Sequence, residues 1–338
     1  MMTSRIVKGQ VTTGEVLEIL NEINEPKVIF IVDDSMKLIG SISDGDIRRY
    51  LIGNSTLDDS IMTISNKNPY AIQYNKQITR NVFEAKRKGF KVIPILNSSK
   101  QVIDIIDLTK DKSIIPVTVF LMAGGMGIRL RPLTLKTPKP LLTIKGKPII
   151  DHIFEHLQQY KFSKYFISIN YLGEQIENHF IKRKDTHFLK ERERMGTIGS
   201  LSLAPPIDDN FLLLLNADAI NDVNFEELYL HGLENNADIV IVTKEYENKI
   251  PYAVVSIEDN IIKRIDEKPL IHYYINTGIY LIKSELIQFI PRDKFLDAPD
   301  FIQNMMALGK KVVSFKHRGL WHDVGRLSEY HQMNSQND

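Results

Sequence analysis

An internal repeat in the first third of the chain constrains its fold more than any other feature. Lys27-Val-Ile-Phe-Ile-Val-Asp-Asp-Ser-Met-Lys-Leu-Ile-Gly-Ser-Ile-Ser43 aligns without a gap with Lys91-Val-Ile-Pro-Ile-Leu-Asn-Ser-Ser-Lys-Gln-Val-Ile-Asp-Ile-Ile-Asp107, 64 positions further on. Each copy reads as an apolar strand, a polar turn and a second apolar strand, and each follows a stretch with helical spacing, 11–21 and 78–88. Two like units side by side predict an α+β module with a pseudo-twofold, its repeats spanning about 1–56 and 57–113.

After Pro116 the pattern changes. Apolar runs at 117–122, 165–169, 211–215 and 238–242 alternate with helical stretches such as 149–159 and 225–234. That alternation predicts a second, α/β domain over 116–338 with a mostly parallel central sheet. Ligands of such sheets sit beyond the carboxyl ends of strands, so functional residues are expected just after each apolar run. The 338 residues contain no cysteine, which excludes disulfides, thiolate catalysis and cysteine-based zinc sites. A net charge of +1 gives no long-range attraction to nucleic acid or to an anionic membrane. The most apolar stretch, 114–123, is interrupted by Pro116 and falls short of the ~20 residues a membrane helix needs. Residues 1–14 lack an apolar signal core, and the expectation is a cytoplasmic protein.

The first apolar run of the second domain ends in Met122-Ala-Gly-Gly-Met-Gly-Ile-Arg-Leu-Arg-Pro-Leu-Thr-Leu-Lys-Thr-Pro-Lys-Pro140. Glycines directly after a strand let backbone N–H groups approach a phosphate, and Arg129 and Lys139 add positive charge. A P-loop is excluded because no Gly-Lys-Ser/Thr follows at its spacing. A dinucleotide fingerprint is excluded because its third glycine position is Leu130.

The run resembles the signature of sugar-1-phosphate nucleotidyltransferases, Gly-Gly-x-Gly-x-Arg-Leu-x-Pro-Leu-Thr followed by Pro-Lys-Pro, with a departure at Ile128 where the family often has Thr. The resemblance continues through Gly196-Thr197, Asn216-Ala-Asp218, Glu267-Lys-Pro269, Asn276-Thr-Gly278 and Trp321-His-Asp323-Val-Gly325. It implies a Rossmann-like nucleotidyltransferase domain. The implied reaction is nucleotidyl transfer from a nucleoside triphosphate, GTP first, to a sugar 1-phosphate, giving pyrophosphate and a nucleotide sugar of the kind used for surface glycans.

By the same resemblance Ala123, Gly124, Gly125, Gly127, Gly196 and Thr197 bind the nucleotide, while Glu267, Asn276 and Thr277 contact the sugar phosphate. Arg129 would take the β/γ-phosphates, Lys139 the α-phosphate, and Lys268 would hold the sugar phosphate in line. Asp218 and Asp323 would ligate Mg²⁺ as the cofactor. A lysine beside proline is otherwise a solvated loop residue. Without the resemblance, Asp218 after a buried strand reads as a turn residue or a helix cap before it reads as a metal ligand.

The repeat resembles a CBS domain pair, in which Ser/Thr-x-x-Asp at a helix start holds a ribose. Ser43-Asp44-Gly45-Asp46 matches, so Ser43 and Asp46 are candidates for a regulatory adenine nucleotide. The second copy has Asp107 and Lys110 at the matching positions and leaves at most one such site. Asp46 as a plain helix cap is the competing reading. CBS pairs associate face to face, which implies a homo-oligomer.

His152-Ile-Phe-Glu-His156 has the spacing of some zinc proteases but lies on an amphipathic helix, and its histidines are read as helix-surface residues and not as metal ligands. Lys182-Arg-Lys184 and Lys190-Glu-Arg-Glu-Arg194 mix signs and are read as solvated faces. The alternative to an enzyme is a catalytically inactive protein that senses a nucleotide sugar or an adenine nucleotide. The presence of Arg129, Lys139, Asp218, Lys268 and Asp323 argues for the enzyme.

Overall fold

The computed structural model describes residues 3–53 and 56–335. The few positions of the expected domain spans beyond these (1, 2, 54, 55 and 336–338) lie outside the described residues. The chain divides into two compact units, Met1–Ile115 with Gln159–Lys161 and Pro116–Gln158 with Phe162–Asp338.

In the first unit the repeat becomes two three-stranded sheets. One is formed by β1 (Ile6–Lys8), β2 (Val28–Val32) and β3 (Leu38–Ser43), the other by β4 (Ile72–Gln73), β5 (Val92–Leu96) and β6 (Val102–Asp107). The registers repeat as the sequence does, with Val28 opposite Ser43 and Val92 opposite Asp107. Helix α1 (Thr13–Glu22) packs Val16 and Leu20 onto the first sheet, and α4 (Ile78–Arg87) packs Ile78 and Val82 onto the second. The two sheets share a cluster of Phe30, Val32, Val92, Val102 and Ile105. After β3 the chain enters α2 (Asp44–Ile52) and then the short α3 (Ile61–Ile64). No helix follows β6, where residues 108–110 form a turn.

The second unit is built on a seven-stranded sheet. Its strands are β7 (Val117–Met122), β10 (Lys164–Ile169), β11 (Thr186–Lys190), β12 (Phe211–Asn216), β14 (Ile239–Lys249), β17 (Leu270–Lys283) and β18 (Val312–His317), ordered β11-β10-β7-β12-β17-β14-β18. Only β17 runs against its neighbours; the other pairings are parallel, as the α/β alternation requires. Central strands covered on both faces read as unbroken apolar runs, and Leu212, Leu213, Leu214 and Leu215 are all at most 1% exposed. Each such burial contributes roughly 1.5–3 kcal/mol. Helices α5 (Ile149–Gln158), α6 (Gly173–His179), α7 (Phe225–Glu234) and α8 (Ala298–Ala307) follow strands in chain order. β14 and β17 run well beyond the apolar segment at 238–242, because their outer halves form an exposed antiparallel ribbon with polar and aromatic side chains.

Three two-stranded pieces complete the unit: β8 (Thr143–Ile144) with β9 (Lys147–Pro148), β15 (Val254–Glu258) with β16 (Ile261–Asp266), and β13 (Ala219–Asn221) with β19 (Trp321–Asp323). Helix α9 (Leu327–Ser335) ends the described chain. Among the described residues no helix is long and apolar enough to cross a membrane.

Candidate active site

The four parallel strands β11, β10, β7 and β12 end at one edge, and the ladder continues past them. Ala123 N–H donates to Ser168 O (3.1 Å), Ala217 N–H to Met122 O (3.1 Å) and Glu191 N–H to Ile169 O (3.0 Å). The glycine loop, Asp218 and Glu191 are therefore delivered side by side by segments far apart in sequence.

The loop is a fixed object. Gly127 has φ +60°, and a Cβ there would stand 2.9 Å from Thr134 Cγ2 and 3.2 Å from Lys139 Cβ. The Thr134 hydroxyl donates to Gly127 O at 2.8 Å. Glycine is thus required both for its left-handed backbone and for the approach of the Thr134–Lys139 segment. That segment directs Lys139, only 7% exposed, into the cleft.

Ala123, Gly125, Gly127, Arg129, Lys139 and Asp218 line one cleft, together with Arg194 and Gly325. Gly124, Gly125, Gly196, Thr197 and Asp218 line an adjoining one, with Glu191, Asn216 and Asp297. Arg129 reaches toward Gly325, where a Cβ would lie 3.4 Å from its guanidinium. Gly196 has φ +76° and would press a Cβ to 2.5 Å from Leu296 O. Thr197 is pinned to the start of α8, since its N–H donates to Asp297 Oδ1 (2.9 Å) and its hydroxyl accepts from Ala298 N–H (2.7 Å).

Asp218 and Asp323 are brought together by the β13–β19 pairing, in which Ala219 stands opposite Asp323. Lys139 Nζ donates to both, 2.5 Å from Asp218 Oδ2 and 3.2 Å from Asp323 Oδ1. The other Asp218 oxygen, Oδ1, is buried with no hydrogen-bond partner. An orphaned carboxylate oxygen is costly unless a cation satisfies it. Among the described residues no three His, Asp or Glu side chains gather around one point, so the protein offers two carboxylates. That suits Mg²⁺, which takes one or two carboxylates and fills the rest of its shell with phosphate and water oxygens.

Glu267, Lys268, Asn276 and Thr277 are not among the residues lining these two clefts, although Gly278, bonded to Asn276, abuts the cleft residue Asn216. Lys268, 59% exposed, lies on the loop between β16 and β17 at 3.9 Å from Glu267. Thr277 is buried with its hydroxyl donated to Val242 O (2.7 Å), and its carbonyl accepts from Trp321 Nε1 (3.0 Å). The Asn276 amide donates to the Tyr280 hydroxyl (2.7 Å) while its oxygen accepts from Gly278 N–H (3.0 Å).

Two features escaped the sequence reading. The run 190–194 was expected to be a solvated face, yet Glu191 and Arg194 line the clefts. Glu191 directly follows β11, the position that strand-end reasoning singles out, and the surrounding mixed charges masked it. Burial raises its carboxyl above the ordinary value, against N–H donation from Met195 and the nearby Ser200 and Ser168 hydroxyls. Asp297, which anchors Thr197, carries no signal in the sequence. The two histidines of α5 are partly buried, with ring nitrogens on backbone carbonyls: His152 Nε2 meets Ile144 O (3.0 Å) and His156 Nε2 meets Val223 O (2.8 Å).

In the first unit, Ser43 and Asp46 form a reciprocal capping box at the start of α2. The Asp46 carboxylate accepts from Ser43 N–H (2.8 Å) and the Ser43 hydroxyl (2.6 Å), and also from Arg49. Burial alone would raise this carboxyl, but the Ser43 and Arg49 contacts outweigh it and hold it below the ordinary carboxylate value.

A mostly parallel sheet with a glycine loop, a buried lysine and paired carboxylates at its carboxyl edge defines an α/β protein with a charged cleft at the strand ends. More particularly, the chain belongs to the nucleotidyl transferase family, whose model matches residues 118–338. It is 33% identical over 223 residues to the mannose-1-phosphate guanyltransferase of Yarrowia lipolytica, covering 62% of this chain and 61% of that protein. It is 31% identical over 214 residues to the bifunctional protein GlmU of Methanocaldococcus jannaschii, covering 61% and 50%. The chain thus spans about three fifths or less of the length of these curated relatives. The crystal structure of HddC from Yersinia pseudotuberculosis shares the fold, with TM-score 0.52 and 24% identity over 64% of this chain and 97% of that one.

Proposed function

We propose that the chain transfers a nucleotidyl group from GTP to a sugar 1-phosphate, yielding a GDP-sugar and pyrophosphate with Mg²⁺ as cofactor. The observation that carries this reading is the convergence of Lys139, Asp218 and Asp323 beside the glycine loop. In the reaction a sugar-phosphate oxygen bonds to the α-phosphorus while the bond from that phosphorus to the α–β bridging oxygen breaks. Pyrophosphate leaves with the electron pair. No protein nucleophile is needed, so the protein's work is to align two polyanions and to stabilise charge as it moves onto the leaving group.

The N–H groups of the glycine loop and Arg129 would hold the β- and γ-phosphates, a planar guanidinium being able to bond two oxygens at once. Lys139 would neutralise the α-phosphate, and Lys268 would approach the sugar phosphate from its exposed loop. Asp218 and Asp323 would hold Mg²⁺, which when bound screens the phosphate charges from one another.

Glu191 favours GTP. An ionised carboxylate only accepts hydrogen bonds, and guanine's Watson–Crick edge presents two adjacent donors, N1–H and the 2-amino group. Uracil and thymine present a single N–H flanked by carbonyls that a carboxylate repels. Mannose 1-phosphate is the first sugar substrate to test, because the curated relatives named above include a mannose-1-phosphate guanyltransferase; glucosamine 1-phosphate is the second.

The first unit is proposed to be a CBS pair taking an adenine nucleotide at Ser43 and Asp46, a reading supported by the repeated registers of its two sheets. The test of the whole is pyrophosphate release with Mg²⁺ over crossed panels of nucleoside triphosphates and sugar 1-phosphates. Adenine nucleotides are added afterwards to the active pair. Release that shows no preference for GTP would remove the base assignment, and an unaltered rate with adenine nucleotides would remove the regulatory one.

A further inference from the structure

We infer that Lys139 is a gate on the metal site: its ammonium closes the carboxylates of Asp218 and Asp323 to a free divalent cation until a triphosphate draws it away. This rests on the transferase reading above. Three observations carry it. First, the ammonium lies between the two carboxylates, at 2.5 and 3.2 Å, and supplies the positive charge of a cation there. Second, Lys139 leaves the carboxylates only partly satisfied, since Asp218 Oδ1 stays buried and unpartnered. A pair of carboxylates meant to be closed for good by one lysine would not keep a bare oxygen. Third, the stem of Lys139 is held against Gly127, 3.2 Å from where a Cβ would be, so it is the flexible end that can redirect within the cleft shared with the glycine loop.

The charges make the order of binding follow. Two carboxylates and one ammonium leave a single net negative charge, and a divalent cation entering there meets the ammonium a few ångströms away. In a partly buried cleft that repulsion is large compared with thermal energy, amounting to about tenfold or more in affinity even after the lysine relaxes. A triphosphate changes the balance because it offers the ammonium another anion a short swing away and brings oxygens for the cation's remaining positions. The ammonium moves to phosphate, both carboxylates are freed, and the cation enters with the nucleotide. Lys139 thereby makes a loaded metal site conditional on a bound triphosphate.

The test uses Mn²⁺ as a paramagnetic probe on the full chain, reading free Mn²⁺ by electron paramagnetic resonance and bound Mn²⁺ by water-proton relaxation. Wild type alone is expected to hold Mn²⁺ weakly, and inorganic tripolyphosphate is expected to raise the protein-bound relaxation signal. Lys139→Met should bind Mn²⁺ about tenfold or more tightly without tripolyphosphate. Adding Asp218→Asn to it should abolish that gain and so locate the ion. Two results overturn the inference: a folded Lys139→Met protein no tighter than wild type, or wild type that already binds Mn²⁺ tightly at a site lost in Asp218→Asn. The second outcome needs no Lys139 variant to fold. None of these readings depends on turnover, so a failed transfer assay beside the expected Mn²⁺ pattern would count against the proposed reaction and leave the gate standing.

Discussion

Replacing Gly196 by alanine tests whether the cleft is held by backbone fit. Gly196 sits at φ +76°, where a residue with a Cβ is destabilised by roughly 1–2 kcal/mol. Its new Cβ would also stand 2.5 Å from Leu296 O, against an ordinary contact of 3.4 Å or more. Either the loop or the segment before α8 must then move by most of an ångström. That movement strains the bonds from Ile198 N–H (3.1 Å) and Gly199 N–H (3.2 Å) to the same carbonyl. Overpacking of this kind adds about 1–3 kcal/mol, so the expected loss is about 2–5 kcal/mol in all.

Gly309 provides the control, with φ +77° and nothing within 4 Å of a built Cβ, so Gly309→Ala should lose only the backbone part, roughly 1–2 kcal/mol. Denaturant unfolding followed by fluorescence of Trp321, the chain's one tryptophan, reports on this unit and not on the other. Steady-state kinetics should show the nucleotide KM of Gly196→Ala raised at least about tenfold and that of Gly309→Ala unchanged. If the two variants unfold within about 0.5 kcal/mol of each other and share the wild-type KM, the fit at Leu296 does not hold the cleft.

Asp218→Asn and Asp323→Asn should each reduce Mg²⁺-dependent pyrophosphate release by about a hundredfold or more with the Trp321 spectrum unchanged, and near-normal rates in both would refute the metal assignment. Glu191→Gln should narrow the preference for GTP over UTP, seen as a fall in kcat/KM for GTP of about tenfold or more. Because burial raises the folded-state pKa of Glu191, its ionisation works against folding. Its stabilising contribution is present below the unfolded value of 4.5 and is lost as pH rises through the raised folded value. Glu191→Gln should therefore be the more stable protein at neutral pH, with the difference closing toward pH 4.5 in denaturant titrations. Asp46→Ala removes the capping box of α2 and should destabilise the first unit by about 0.5–2 kcal/mol. Loss of any adenine-nucleotide effect on rate, beyond that destabilisation, separates the ribose reading from the cap.

What could be read from the sequence follows the range of the forces involved. The strands 117–122 and 211–216 and helix 225–234 were legible because full burial leaves unbroken apolar runs and one-sided burial leaves a 3.6-residue period. The glycine loop was legible because its glycines cluster directly after an unbroken apolar run, and Gly127 is held to glycine by its left-handed backbone and the close approach of Thr134. The meeting of Asp218 with Asp323 was legible only through family resemblance, since it depends on the pairing of two three-residue strands about a hundred positions apart. Glu191 was hidden by neighbours whose charges are solvated, while its own backbone extends the β10–β11 ladder past the strand end. Thr277 shows the opposite failure: it lies in a motif-matching segment, yet its hydroxyl is spent on Val242.

The most direct test of the central claim is pyrophosphate release by the purified full chain with Mg²⁺, GTP and mannose 1-phosphate, compared with UTP, dTTP and CTP and with other sugar 1-phosphates. Magnesium-dependent release that favours GTP with one sugar phosphate, and is lost in Asp218→Asn, is the predicted result. No release with any pair, from protein that still binds Mn²⁺ together with tripolyphosphate, would contradict it.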